Sequence, residues 1–315
     1  MIYTVTLNPA VDRELTVPEI VFETVLRATS WRVDCGGKGF NVSRMLQALG
    51  EASIALAVAA GRSGQMLQDS LAALGIATDF VWVEGETRTN ISILTEGQNA
   101  ATGRYLKVNE PGPVVAPAAL GALVDKIAHL ARAGDWWVLA GSLPPGLPDD
   151  TYAALITAVQ TAGGRAVLDS SGPALQQGCA ARPFLVKPNV TELDQLTGRP
   201  VSTRAEVLAA AVEVLRAGVA SVVVSMGKAG ALIVDADGAW LAQSPEIKEQ
   251  NPIGAGDSMV AGLIYAQSRG LSLVESLRWG VACGAATASL GGTAVGPRAL
   301  VESLLSQVAV QPLPT

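Results

Sequence analysis

Beyond residue 115 the chain alternates short apolar runs with helical stretches, and this alternation constrains the fold more than any other feature. Helices are expected near 118–132, 150–162, 204–216, 255–267, 273–288 and 298–308, with one more opened by Asn189. Strand-like runs lie between the earlier of them, at 136–140, 166–168, 184–186 and 221–224. Strands joined by crossover helices pair in parallel and bury both faces, which predicts a mostly parallel sheet with helices on each side. A hairpin is expected where Ala231–Val234 and Ala239–Ala242 flank Asp235-Ala236-Asp237-Gly238.

The earlier part of the chain mixes this pattern with another. Ile2–Leu7 and Ser53–Ala60 suit buried strands. Gly39–Leu49 has helical spacing with Phe40, Val42, Met45, Leu46 and Leu49 on one broad face, and Ser63–Leu74 is a helix ended by Gly75. Arg13–Val17, Trp31–Cys35, Phe80–Val83, Asn90–Leu94 and Arg104–Val108 are β-like pieces without long helices between them. Two β-rich insertions, near 11–35 and 84–108, would have to leave the sandwich together. They are expected to form a small β-sheet lid over the strand ends, where open α/β sheets bind ligands. No linker or repeat divides residues 1–315, so one domain carrying this lid is expected.

Composition excludes several classes. The apolar fraction is 49% and the mean hydropathy +0.35. Yet the run Ala52–Ala60 is bounded by Glu51 and Arg62, far short of the ~20 residues a membrane span requires. With only 16% charged residues the chain is not a disordered one. A net charge of −6 and the absence of a basic run argue against nucleic acid. The start, Met1-Ile2-Tyr3-Thr4-Val5, lacks a basic segment followed by an apolar one. Cys35, Cys179 and Cys283 are widely spaced and odd in number, which suits reduced thiols. Both features point to the cytoplasm. His129, the single histidine, has no nucleophile or acid in a motif beside it, so a hydrolytic triad is not expected.

Two standard phosphate motifs fail. Neither Gly37-Lys38 nor Gly227-Lys228 is followed by Ser or Thr, as a P-loop requires. The runs Gly37-Lys38-Gly39 and Gly254-Ala255-Gly256 reach Val42 and Met259 where a dinucleotide fingerprint needs glycine. Four other clusters fall at expected strand ends. Gly254-Ala255-Gly256-Asp257 opens a helix whose N-terminus suits an anion, with a carboxylate beside it. Asp257 there is either a proton acceptor or a helix-terminal charge. Asn189 and Glu192 form either a capping box or a site for Mg²⁺-bound water and phosphate, following Lys187. Ser225, Gly227 and Gly230 form a strand-end turn that either floors a nucleotide or leads into the hairpin. Gly36-Gly37-Lys38-Gly39-Phe40-Asn41 opens a helix. Together with Asp12 and the possible anion clamp Arg88, it offers groups that pair with sugar hydroxyls and a phosphate.

In their order along the chain these motifs resemble the ribokinase-like (pfkB) carbohydrate kinases. The resemblance rests on Gly254-Ala255-Gly256-Asp257 and on Gly36-Gly37-Lys38-Gly39 with Asn41. Thr6-Leu7-Asn8-Pro9-Ala10 with Asp12, Gly141-Ser142-Leu143-Pro144, and Lys187-Pro188-Asn189 with Glu192 narrow it to the branch acting on hexose phosphates. It implies a three-layer α/β/α sandwich with a β-sheet lid, ATP, Mg²⁺, and phosphorylation of a ketohexose phosphate. Fructose 1-phosphate is favoured over tagatose 6-phosphate and fructose 6-phosphate. The alternative outside enzymes is a sugar-phosphate-binding regulator, which the intact Asp257 and its glycines disfavour.

By the same resemblance Asp257 is the base, and Gly254, Ala255 and Gly256 supply the anion hole. Asn189 and Glu192 organise Mg²⁺ and its waters. Lys187, Asn189, Ser225, Gly227 and Gly230 meet the nucleotide. Asp12, Gly37, Lys38, Asn41, Arg88 and Ser142 hold the sugar phosphate. Many relatives carry Asp-Thr where this chain has Asn251-Pro252-Ile253, so one acidic ligand of a monovalent-cation site is missing. A homodimer through the lid is expected, covering Trp31, Val33, Ile91 and Ile93.

Overall fold

The computed structural model describes residues 1–96 and 105–314. Residues 97–104 and 315 lie outside the described residues, and with them Arg104, the expected start of the last strand of the second insertion. The chain opens with β1 (Ile2–Thr6), β2 (Ala10–Val17), β3 (Ser30–Gly36), α1 (Lys38–Ala48), β4 (Ile54–Ala60) and α2 (Gly61–Ala73). It continues with β5 (Ala77–Thr78), β6 (Val81–Val83), β7 (Arg88–Thr95), β8 (Tyr105–Asn109), α3 (Pro117–Leu130), β9 (Trp136–Ala140), α4 (Thr151–Thr161) and β10 (Arg165–Asp169). Then come α5 (Gly172–Ala180), β11 (Leu185–Val186), α6 (Val190–Thr197), α7 (Arg204–Arg216), β12 (Ser221–Ser225), β13 (Ala231–Asp235) and β14 (Gly238–Ala242). The chain closes with α8 (Ala255–Ser268), α9 (Leu273–Ala288), α10 (Arg298–Leu305) and β15 (Val310–Leu313).

The large sheet runs β15-β14-β13-β12-β11-β10-β9-β1-β4-β5, with β6 also paired to β4. Its strands are parallel from β12 through β5, and antiparallel where β13, β14 and β15 extend it. Side chains alternate between its faces with period two, as strand geometry requires. Tyr3, Val5, Trp137, Leu139, Val222 and Val224 point into one core beneath α3 to α7. Ile2, Trp136, Val138 and Val223 point into the other, beneath α1, α8, α9 and α10. Tyr3 stacks on Trp137 with ring centroids 4.1 Å apart. The expected α/β/α sandwich is therefore observed.

The two insertions pair with each other in a second sheet, β3-β2-β7-β8. Its register gives each face a distinct chemistry. Asp34, Asp12, Asn90 and Asn109 line up across one face, with Arg32, Glu14, Ser92 and Lys107 beside them. Trp31, Leu15, Ile93 and Leu106 form a row on the other, next to Val33, Arg13, Ile91 and Val108.

Several elements differ from the sequence expectation, among them the short strand β5, helix α5, strand β15 and the end of helix α10. Helix α5 was not anticipated, because Gly172 and Pro173 open it and Gly178 interrupts its pattern. Gly178 is there for packing: a Cβ on it would lie 2.4 Å from the Leu168 side chain. Strand β15 carries Pro312, which the propensities disfavour. Helix α10 ends at Leu305, three residues short of expectation.

Candidate active site

The C-terminal ends of β10, β11 and β12 meet the N-termini of α1, α6 and α8 around a cavity of about 860 Å³. Gly37, Lys38, Asn41, Arg88, Lys187, Asn189 and Glu192 line it. So do Ser225, Gly227, Gly230 and the run Gly254-Ala255-Gly256-Asp257. Five separated stretches of sequence are thus brought to one place by the parallel sheet.

Asp257 sits in the first turn of α8 and is 7% exposed. Its Oδ2 accepts a hydrogen bond from Asn41 Nδ2 at 2.8 Å, which aims the carboxylate. Burial and the neighbouring Asp169 charge raise its pKa to about 6, opposed by Lys38, the Asn41 donation and Lys187. A carboxylate so poised is a competent proton acceptor near neutrality. Gly254 precedes α8 at φ 79°, a left-handed conformation that glycine tolerates. Among the described residues, the Gly254, Gly256 and Asp257 N–H groups have no backbone acceptor, so they remain available to an anion. Ala255 departs from expectation: its N–H donates to Pro252 O at 3.2 Å. This amide is already committed to the turn that enters the helix.

Asp169, which sequence analysis missed, joins both lysines of the site. Its Oδ1 accepts from Lys38 Nζ at 2.9 Å, and its Oδ2 lies 3.4 Å from Lys187 Nζ. It is 1% exposed, and Oδ2 has no hydrogen-bond partner in proper geometry. Burial alone would raise its pKa, but Lys187 and Lys38 outweigh that and hold it below the usual carboxylate range. Burial would conversely lower the Lys38 pKa, and Asp169 with Asp257 raises it instead. Lys38 thus stays charged opposite a fixed anion. The available signal was position: a carboxylate ending a parallel strand beside two serines, Ser170 and Ser171, is where α/β sheets place ligand groups.

Asn189 and Glu192 form a complete capping box on α6. Glu192 N–H donates to Asn189 Oδ1, and Asn189 N–H to Glu192 Oε2, each at 2.8 Å. The capping and ligand readings are compatible, because the box leaves Glu192 Oε1 outside these bonds and both residues still line the cavity. After β12, Gly230 turns at φ 94°, and a Cβ there would collide with Ala242 O at 1.9 Å. The turn is thereby pressed against β14 and floors one end of the cavity.

The sugar-side residues are less uniformly placed. Arg88 lines the cavity, with its guanidinium donating to the carbonyls of Asn8 and Glu110. Asp12 stands beside the cavity rather than in its wall. Its Oδ1 accepts from Asn90 Nδ2 at 2.8 Å, and a Cβ on Gly36 would lie 2.4 Å from its Oδ2. Burial raises its pKa, opposed by the Asn90 donation. Ser142 is exposed and does not reach the cavity wall, so the structure does not bring it to the site.

A cavity pairing a helix-terminal anion hole with a buried carboxylate and charge-balanced lysines is built for transfer of an anionic group to an acceptor that loses a proton. The chain belongs to the pfkB family of carbohydrate kinases, whose signature matches residues 5–299. It is a phosphotransferase with a hydroxyl acceptor and ATP as donor. It is 37% identical to a 1-phosphofructokinase of Rhodobacter capsulatus, covering 99% of this chain and 98% of that one. Identity to a 1-phosphofructokinase of Bacillus subtilis is 36%, over 98% of this chain and 99% of that one. In three dimensions it resembles phosphofructokinase-2 of Escherichia coli in complex with potassium. That match has a TM-score of 0.92 and 34% identity, over 97% of this chain and 98% of the other.

Proposed function

We propose that this protein transfers the γ-phosphoryl group of ATP to the 6-hydroxyl of fructose 1-phosphate, giving fructose 1,6-bisphosphate and ADP. The carrying observation is the buried Asp257 carboxylate beside free N–H groups at the start of α8, in one cavity with Lys38 and Lys187. Its substrate assignment is supported by full-length similarity to 1-phosphofructokinases. In this reading Asp257 removes the hydroxyl proton as the oxygen attacks Pγ in line and the Pγ–O bond to ADP breaks. Charge on the transferring group is met by the Gly254, Gly256 and Asp257 N–H groups and by Lys187. Lys38 and Arg88 hold the sugar phosphate, with Asp12 and Asn41 orienting its hydroxyls. Ser225, Gly227 and Gly230 support the nucleotide.

Mg²⁺ fits the donor set. Glu192 offers an oxygen outside its capping bond, and Asp169 Oδ2 is a buried anionic oxygen without a hydrogen-bond partner. No group of three or more His, Cys, Asp or Glu among the described residues could enclose a metal. That suits an ion held largely by water and substrate phosphates, as Mg²⁺ usually is. Glu192 and Asn189 would hold its waters. When bound, it would neutralise phosphate charge.

The small sheet acts as a lid in this reading, its Asp12 face toward the cavity. Its opposite face exposes Trp31 (68%) and Val108 (61%), which supports a homodimer through paired lids. Cytoplasmic location belongs to the same proposal; the three cysteines are free thiols, and no helix among the described residues could span a membrane. An ADP-release assay over fructose 1-phosphate, fructose 6-phosphate, tagatose 6-phosphate and free fructose tests the reaction. The highest kcat/KM is expected with fructose 1-phosphate, and a higher value for any other acceptor refutes the assignment.

A further inference from the structure

The motif Thr6-Leu7-Asn8-Pro9-Ala10 leaves β1 where three loops meet, and one buried amide joins them. Asn8 is 6% exposed. Its Nδ2 donates to Pro111 O at 3.1 Å and to Leu143 O at 3.4 Å. The first carbonyl lies where the chain leaves the small sheet after β8, the second in the loop after β9. Two carbonyl acceptors require the NH₂ group, which fixes the orientation of the amide. Oδ1 is buried without a hydrogen-bond partner, and a Cβ on Gly112 would lie 2.4 Å from it. Gly112 stands at φ 96°, so both space and backbone favour glycine there. Among the described residues Asn8 stands behind the wall of the cavity rather than in it.

The Asn8 carbonyl in turn holds Arg88. It accepts from Nε at 3.3 Å and from Nη2 at 3.1 Å, while Glu110 O accepts from Nη1 at 3.0 Å. Two carbonyls, one on Asn8 and one on the residue before Pro111, thus direct three of the guanidinium's five N–H donors. Carbonyls orient a cation without cancelling its charge. Among the described residues no carboxylate pairs directly with Arg88, and Asp12 and Glu110 act on it only from farther away. Its charge and remaining N–H groups are therefore open to a phosphate. We infer that Asn8 is a positioning residue of the sugar-phosphate clamp, its side chain locking in place the two carbonyls that aim Arg88. The inference rests on the role of Arg88 proposed above. An aspartate of the same shape would set charged oxygens against the Pro111 and Leu143 carbonyls, and an alanine would leave both without this donor. Either change releases Glu110 together with Pro111, so Arg88 keeps its charge and loses its aim.

The experiment compares the full-length protein with Asn8→Ala, Asn8→Asp, Arg88→Ala and the double variant Asn8→Ala/Arg88→Ala. It reads kcat, the KM for ATP, the KM for the sugar phosphate that the ADP-release assay selects, and the thermal midpoint. Asn8→Ala and Asn8→Asp should each raise the sugar-phosphate KM about 10-fold, with kcat and the ATP KM held within about twofold. In the Arg88→Ala background the effect of Asn8→Ala should vanish, so the double variant matches Arg88→Ala within about twofold. A merely structural role would move both KM values and persist in the double variant. An unchanged sugar-phosphate KM in the Asn8 variants, equal rises in both KM values, or additive effects in the double variant would each overturn the inference. Asn8→Asp, which preserves the packing against Gly112, takes the place of Asn8→Ala in both arms if the latter does not fold. An unchanged sugar-phosphate KM in Arg88→Ala would instead refute the clamp role of Arg88, and the inference would fall with it. If no sugar phosphate is turned over, the proposed reaction itself has failed, and the inference with it.

Discussion

The large sheet and the small one are made from the same kind of strand, yet they satisfy opposite requirements. In β1 and β9 every residue is buried, whereas β7 is half-buried throughout and β8 is exposed along its length. Two helical layers fix the large sheet, so the groups at its strand ends, Asp169 and Lys187, are held by a close-packed core. The small sheet has a polar face and an apolar face; the apolar one packs on α2 at Val11 and Cys35, and beyond them Trp31 and Val108 stand exposed. The difference teaches that the buried charges Asp169 and Lys187 stand at strand ends of the packed large sheet, while Asp12 and Arg88 stand on the half-buried small one.

The sharpest way to break this comparison is to alter the carboxylate at the start of α8, which packs on the large sheet. Asp257→Asn should retain the fold and ATP binding while kcat falls ~10²–10⁴-fold, the usual cost of removing a general base. A change below threefold would remove Asp257 from the mechanism. The unaltered protein gives a second reading of the same group. A base whose pKa is raised to about 6 is protonated below that pH. With its acid form inactive, kcat/KM should fall toward tenfold per unit of pH on the acid side and level off above neutrality. A flat profile down to pH 5 would contradict the assignment.

Stability should divide in the same way. Trp137 is fully buried between β9 and its helices, so Trp137→Ala should cost ~3–5 kcal/mol in denaturant unfolding. A loss under 1 kcal/mol would mean the large sheet is not the rigid platform described. At the sugar side, Lys38→Ala removes the 2.9 Å ion pair with Asp169 and a proposed phosphate contact. It should weaken sugar-phosphate binding by ~1.5–3 kcal/mol and ATP binding by less; a raised ATP KM alone would reassign Lys38. Smallest is Trp31→Ser on the exposed face of the small sheet. Monomer stability should change by no more than ~0.5 kcal/mol, while sedimentation shows dimers dissociating at micromolar concentration. Full activity as a monomer before any substitution would separate the small sheet from assembly.

Sequence reasoning was strongest where local pattern and tertiary structure agree. Helices α7 and α9 carry complete apolar stripes with Thr203 and Ser272 as caps, and they occupy the expected 204–216 and 273–288. It was weakest where packing overrides propensity, as in α5, whose glycine serves the Leu168 contact rather than the helix. Glycine-rich turns opening helices announced most of the site. Asp169 was hidden because its role lies in pairing with Lys38 and Lys187, 131 and 18 residues away in sequence, and no spacing encodes that. Ser142 shows the converse: a motif can be present while its side chain faces solvent. The two-faced register of the small sheet was legible only in outline, because parallel pairing of β2 with β7 joins insertions separated by α1, β4, α2, β5 and β6.

Strand β15 also governs how copies of this protein meet at high concentration. It covers β14, which would otherwise present a row of free backbone donors and acceptors to any other chain. Having covered that edge, it presents one that carries Pro312 and is followed by Pro314. Neither proline can donate to a further strand, so the large sheet is poorly suited to growth by addition of another molecule on that side. Trimming the chain back to residue 309 would strip this protection. Turbidity on standing, in a protein whose fold is otherwise intact, is the expected sign.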